Sequence, residues 1–182
     1  DSINVNNREG YEPSNENLRL ARNSGLSRSD YITLATNNVY EANQRFVLPE
    51  VKGVEGEYGT EYPLEFWPMD GDMDKAKEYL DAAVTELGYS DPSEIEIELR
   101  AADAETARTI AEVIQRQWQT NLGITVTIRQ VDYRQRLQLQ TEGDFEAVCA
   151  GWMPDYSDPY SYLELWVTDG PYNQNGYSSP EY

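Results

Sequence analysis

The chain has 182 residues, room for one domain and little more. Thirty-three Asp and Glu against fourteen Lys and Arg leave a net charge of −19, which repels nucleic-acid phosphates and anionic lipid heads and disfavours both as partners. Histidine is absent and Cys149 is the single cysteine, so Ser-His-Asp and Cys-His catalysis, Cys-rich zinc sites and an internal disulfide are all excluded.

Ile3 and Val5 alternate with polar neighbours and predict a short edge strand, followed by a polar loop rich in Asn, Gly and Pro. Residues 17–36 read as weak helix, interrupted at Asn23-Ser24-Gly25. Residues 49–72 carry four Gly and three Pro among scattered aromatics and predict an irregular connection. A connection of that length is usually functional or packed on a neighbour. From Asp72 the pattern sharpens. Met73, Ala76, Tyr79, Leu80, Ala83, Val84 and Leu87 recur at helical spacing, with Asp72 placed to cap the start and Gly88 to stop the end. Ile95, Ile97 and Leu99 then alternate with charged residues as a half-buried strand. Asp103 is expected to open a second helix whose apolar face runs from Ala107 to Leu122, ended by Gly123. Ile124, Val126 and Ile128 alternate as the next strand. A short helix over Tyr133–Gln140 leads through Gly143 to Phe145–Trp152, a nearly continuous apolar run of the kind that forms a fully buried strand. No apolar run approaches the roughly 20 residues that span a bilayer, so no membrane insertion of this segment is expected.

Strand, helix, strand, helix, strand over residues 93–152 predicts an α/β fold with a parallel βαβαβ core and right-handed crossovers. Ligands of such sheets sit just beyond the carboxyl ends of the strands. The last strand runs out at Gly151-Trp152, so the turn Trp152-Met153-Pro154-Asp155-Tyr156-Ser157-Asp158-Pro159 lies where a ligand is expected. Asp158 directly before Pro159 suits a helix N-cap followed by proline in the first turn. Asp155 is open to two readings, a second cap or a carboxylate that pairs with a ligand cation such as a primary amine.

The motif Gly151-Trp152-x-x-Asp155-x-x-Asp158-Pro159-x-x-x-Leu163 resembles the segment that closes the ligand cleft in extracellular solute-binding proteins of the oligopeptide- and dipeptide-binding family, the capture components of ABC importers. Asp74-Lys75-Ala76-Lys77-Glu78-Tyr79-Leu80, Ile110–Gln115, Leu122–Val126, Gly143–Glu146 and Asn175–Tyr182 resemble the family's segments in the same order. Arg19 and Arg28 keep the spacing of its Arg…Ala-Ile-Asp-Arg helix pair. The likeness covers the whole chain, most densely over 72–167. Two departures stand out: Gly25-Leu26-Ser27-Arg28 at the helix junction, and Cys149 where some oligopeptide binders carry an arginine.

The resemblance implies a periplasmic-binding-protein-like (type II) lobe over residues 1–182, incomplete, belonging to the C-terminal lobe of a protein whose N-terminal lobe lies outside this chain. It implies peptide capture without catalysis or cofactor, delivery to an ABC permease, and an extracellular or periplasmic place with a lipoprotein signal upstream. It assigns Asp155 to the peptide's α-amino group, with Trp152 and Met153 offering backbone edges to an extended ligand. Tyr156, Tyr160, Tyr162 and Trp166 read first as packing aromatics, Tyr156 beside Asp155 being kept as a candidate contact. An oligosaccharide ligand on the same fold is the alternative. A glycosidase pair of Asp155 and Asp158 is disfavoured because both would sit side by side on one turn. A calcium loop lacks the required twelve-residue pattern.

Overall fold

The computed structural model of the chain describes residues 2–63 and 67–182. A four-stranded sheet forms the centre, built from β1 (Ser2–Val5), β2 (Glu96–Ala102), β3 (Thr125–Val131) and β4 (Ala147–Ala150) in the order β1-β4-β2-β3. β2 runs parallel to both β3 and β4, while β1 closes one edge antiparallel to β4, with Ile3 opposite Cys149. The predicted parallel βαβαβ core is therefore present, and the sheet as a whole is mostly parallel with one antiparallel edge.

The helices are α1 (Glu16–Ser24), α2 (Arg28–Thr36), α3 (Tyr58–Glu61), α4 (Met73–Leu87), α5 (Glu105–Leu122), α6 (Tyr133–Glu142) and α7 (Tyr160–Leu163). Their starts follow local chemistry. Asn15, Ser27, Asp72 and Asp132 each accept a backbone N–H of the first turn, which would otherwise go without a partner. α4, α5 and α6 each end on a glycine in the left-handed region, Gly88, Gly123 and Gly143, where a side chain would be strained. α5 is the exception at its start. Ala104 rather than Asp103 is the cap, without a side-chain bond, and the Asp103 N–H donates to Val131 O at 2.8 Å, prolonging the strand pairing by one residue.

Alternation along β2 divides the sheet faces. Ile97, Leu99 and Ala101 point to one side and join Leu18, Ala21, Leu80, Ile114, Trp118 and Leu122 from α1, α4 and α5 in the main core. Glu98 and Arg100 point to the other side, where α6 packs against β2 and Arg129 lies 3.6 Å from Glu98. Burying a large apolar side chain contributes about 1.5–3 kcal/mol. The helix-covered face of β2 and its neighbours therefore carries most of the stabilisation.

Two local findings bear on the site. The strand expected over 145–152 is shorter: only Ala147–Ala150 pair, and Gly151 and Trp152 have already left the sheet. Phe145 is buried without belonging to the strand. Its carbonyl and that of Gly143 instead accept from the Asn6 amide, both at 2.8 Å, and Asn6 N donates to Glu146 O at 2.9 Å. The altered helix junction also holds. Gln117 grips Ser27 by accepting from its N–H at 2.7 Å and donating to its carbonyl at 3.1 Å. A Cβ at Gly25 would lie 2.9 Å from Leu122 Cδ2, so the glycine admits the close approach of α5.

Candidate ligand-binding site

The turn after β4 is built in layers. At its base Trp152 is half-buried. Its indole N–H donates to Ser161 O at 2.7 Å, and its ring meets Tyr172 edge-on with centroids 5.4 Å apart. Beneath it Val47, Val51 and Tyr162 form a second small core, packed by Tyr58 and Leu163. Val51 and Tyr58, from the connection over 49–72 that the sequence leaves irregular, and Val47 just before it thus support the turn from below. No periodicity could have signalled this, since Val47 and Val51 are four residues apart in a stretch broken by proline.

Asp158 anchors the far end. Its Oδ1 accepts from Tyr160 N at 2.8 Å and its carbonyl accepts from Ser161 N at 3.1 Å. α7 is bounded by Pro159, which is itself already helical at φ −52 and ψ −33, so Asp158 does the capping that the sequence assigns to it. Between these two anchors the chain rises into solvent. Met153 is 86% exposed, and Asp155 and Tyr156 are exposed beside it. Asp155 makes no hydrogen bond or ion pair among the described residues. Its carboxylate is therefore free for a partner from outside, and a capping role for it is not what the local geometry provides.

The Tyr156 phenol lies above its usual range, first through desolvation and then through the negative charges of Glu164, Asp158 and Asp155 nearby. Among the described residues no group of three His, Cys, Asp or Glu is placed to hold a metal ion.

The aromatics expected to pack divide. Tyr162 is buried, and Trp166 meets Phe46 edge-on at 4.5 Å and Tyr177 at 6.2 Å. Tyr160 does not pack in this way and stands exposed. The segment around Gly176 returns to the sheet. Asn7 N donates to Asn175 O at 2.8 Å, and Arg8 donates to Gln174 O at 3.0 Å. Cys149 shares the core with Ile3, and burial pushes its thiol up to about 12. A side chain on that face of β4 looks into the core rather than toward the turn.

The chain as a whole is similar to known proteins. Residues 2–174 match the model of bacterial extracellular solute-binding proteins, family 5 middle region. The chain is 28% identical over 178 residues to the oligopeptide-binding protein OppA of Bacillus subtilis, covering 97% of this chain and 32% of the relative. It is 30% identical over 171 residues to a dipeptide-binding protein of Lactococcus lactis, covering 93% of this chain and 30% of the relative. Among solved structures, the peptide-bound OppA of Listeria monocytogenes superimposes with a TM-score of 0.82 at 29% identity, over 98% of this chain and 35% of that one. The chain spans about a third of the length of the curated relatives it matches. With the family model matched across nearly all of the sheet, its helices and the turn after β4, the chain belongs to the bacterial extracellular solute-binding proteins, family 5.

Proposed function

We propose that this chain is part of one lobe of a hinged, two-lobe protein that captures extracellular peptides non-enzymatically and presents them to the permease of an ABC importer. The observation that carries the reading is Asp155. It is a carboxylate without an internal partner, raised on a turn fixed by Trp152 at one end and Asp158 at the other, beyond the carboxyl end of β4. In this reading a second lobe closes over the turn and desolvates Asp155, which then needs the α-ammonium of a peptide as counter-ion. Met153, exposed and without side-chain duties, leaves its backbone free to pair with an extended ligand, and Tyr156 flanks the ammonium. The names of the relatives favour peptides over oligosaccharides as the ligand class. The extracellular placement of the family agrees with the acidic surface, and no described helix is long and apolar enough to cross a membrane. Tethering through an upstream lipid anchor belongs to the same proposal.

Calorimetry on the full-length protein tests it. Asp155→Asn keeps the shape and removes the charge, and should weaken free-amine peptides by about 1.5–3 kcal/mol, roughly ten- to a hundredfold. N-acetylated peptides should change far less. Asp158→Asn should leave affinity intact, since asparagine caps a helix about as well as aspartate. A silent Asp155→Asn would remove the amine-anchor role.

A further inference from the structure

The loop that runs into the small core beneath the ligand turn is held shut by one carboxylate. Glu61, the last residue of α3, turns back on the loop before it. It accepts from three consecutive backbone N–H groups, those of Val54 at 2.8 Å, Glu55 at 2.6 Å and Gly56. The neck of the loop is closed as well: Gly53 N donates to Gly56 O at 2.7 Å, and Lys52 bridges Glu57 in antiparallel fashion. Successive N–H groups aimed at one spot form a cradle for an anion. They hold the Glu61 carboxyl below the usual carboxylate range, the Val54 N–H first, with desolvation opposing and the Glu55 and Gly56 N–H groups adding to it.

Val51 stands directly before this neck and Tyr58 directly after it. Tyr58 N donates to Val51 O at 2.8 Å, and Gly59 N donates to Pro49 O at 2.9 Å. Val51 and Tyr58 belong, with Val47, Tyr162 and Leu163, to the small core against which Trp152 packs. Trp152 is in turn the fixed end of the turn that carries Asp155, through its bond to Ser161 O. Close-packed side chains transmit a displacement rather than absorb it.

We propose that Glu61 is a positioning residue for peptide binding: by filling the cradle of Val54, Glu55 and Gly56 it sets Val51 and Tyr58 against Trp152 and so fixes the placement of the Asp155 turn. The inference rests on that turn being the ligand site, and Glu61 itself does not touch the ligand. The two glycines of the loop separate the carboxylate from the backbone around it. A Cβ at Gly53 would lie 2.7 Å from Glu61 Cδ and 2.9 Å from its Oε1, so the flexible side chain must give way. A Cβ at Gly56 would lie 3.6 Å from Oε1, an ordinary contact. Neither glycine has a positive φ, so alanine meets no left-handed strain at either. Gly53→Ala therefore evicts the carboxylate without removing its charge, and Gly56→Ala leaves it in place.

Calorimetry on the full-length protein, with a free-amine peptide and its N-acetylated form, provides the test. Glu61→Gln and Gly53→Ala should each weaken both peptides by about three- to thirtyfold, the range of coupling carried through packed side chains. The double variant should be no weaker than the weaker single one, since both changes empty the same cradle. Gly56→Ala should bind as the unaltered protein does. Glu61→Asp should lose less than Glu61→Gln, because aspartate keeps two acceptor oxygens while glutamine keeps the length and turns an NH2 toward the N–H groups. The reverse ranking would mean that Glu61 acts by packing, and would overturn the proposal. So would additive losses, an equal loss for Gly56→Ala, a loss confined to the free-amine peptide, or unchanged affinity in both Glu61→Gln and Gly53→Ala. Asp155→Asn keeps the two readings apart: a free-amine loss there beside silent loop variants removes the role of Glu61 and leaves peptide capture standing. Should the full-length protein bind neither peptide, peptide capture fails and the Trp152 indole N–H signal in the isotope-labelled protein decides for Glu61. Movement of that signal by Glu61→Gln and Gly53→Ala but not by Gly56→Ala would support the positioning, and a signal unmoved by all three would overturn it.

Discussion

Asn6→Ala should be among the most damaging single substitutions in this chain, although the residue is polar and sits just past a four-residue edge strand. Asn6 is fully buried. Its amide donates at 2.8 Å to the carbonyls of Gly143 and Phe145, and its Oδ1 accepts from the backbone N–H and a guanidinium N–H of Arg8 at 3.2 and 3.1 Å. Truncation removes all four bonds. Arg8 is only partly buried and regains water at little cost. The two carbonyls are buried, and orphaning each costs about 1–3 kcal/mol, for a total of about 2–6 kcal/mol. That is a large share of the roughly 5–15 kcal/mol by which a domain is stable. Urea unfolding followed by Trp fluorescence measures it, with Asn4→Ala as a control whose side chain accepts only from partly buried Ser2 at 3.3 Å and should cost under about 1 kcal/mol. A loss below about 1 kcal/mol for Asn6→Ala, at unchanged denaturant slope, would refute the view that Asn6 bolts the entry to β4. It would also loosen the link between that bolt and the position of the Asp155 turn.

Two further expectations concern titration. The half-buried Glu146 carboxyl lies above its usual range, chiefly through desolvation and then through Glu12 and Glu98, while Glu98 N–H and Arg22 act against the shift. A raised folded pKa means that the folded state holds the proton more tightly, so the stability contribution is full below the ordinary carboxylate pKa and is lost as pH rises through the folded one. Glu146→Gln keeps an acceptor for Glu98 N–H, so it should raise the thermal midpoint at pH 7. The gain should vanish near pH 4, and a gain that persists there would point to packing instead. With its thiol held near 12, Cys149 should react with a thiol reagent at pH 8 far more slowly in the native chain than in urea. Equal rates would mean that the β1–β4 pairing opens readily.

The sequence by itself determined the local elements, because their causes are local. Asp72 and Gly88 bound α4 through the backbone groups at its own two ends, and the two-residue alternation of Ile97 and Leu99 needs only the strand geometry. The succession of strands and helices over 93–152, and with it the parallel sheet, followed from periodicity, while the spatial order β1-β4-β2-β3 did not. Tertiary structure decided where neighbours compete for the same groups. α5 starts one residue later than expected, on Ala104, with the Asp103 N–H paired to Val131 O, and Phe145 lies outside the strand with its carbonyl held by the Asn6 side chain. Arg22 occupies a position on the apolar stripe of α1 with Leu18 and Ala21, a cue visible in the sequence that does not say what the charge faces. Val47, Val51 and the underside of Trp152 meet across about a hundred residues of chain. Such contacts depend on shape and desolvation at a distance, and no periodicity in the sequence carries that information.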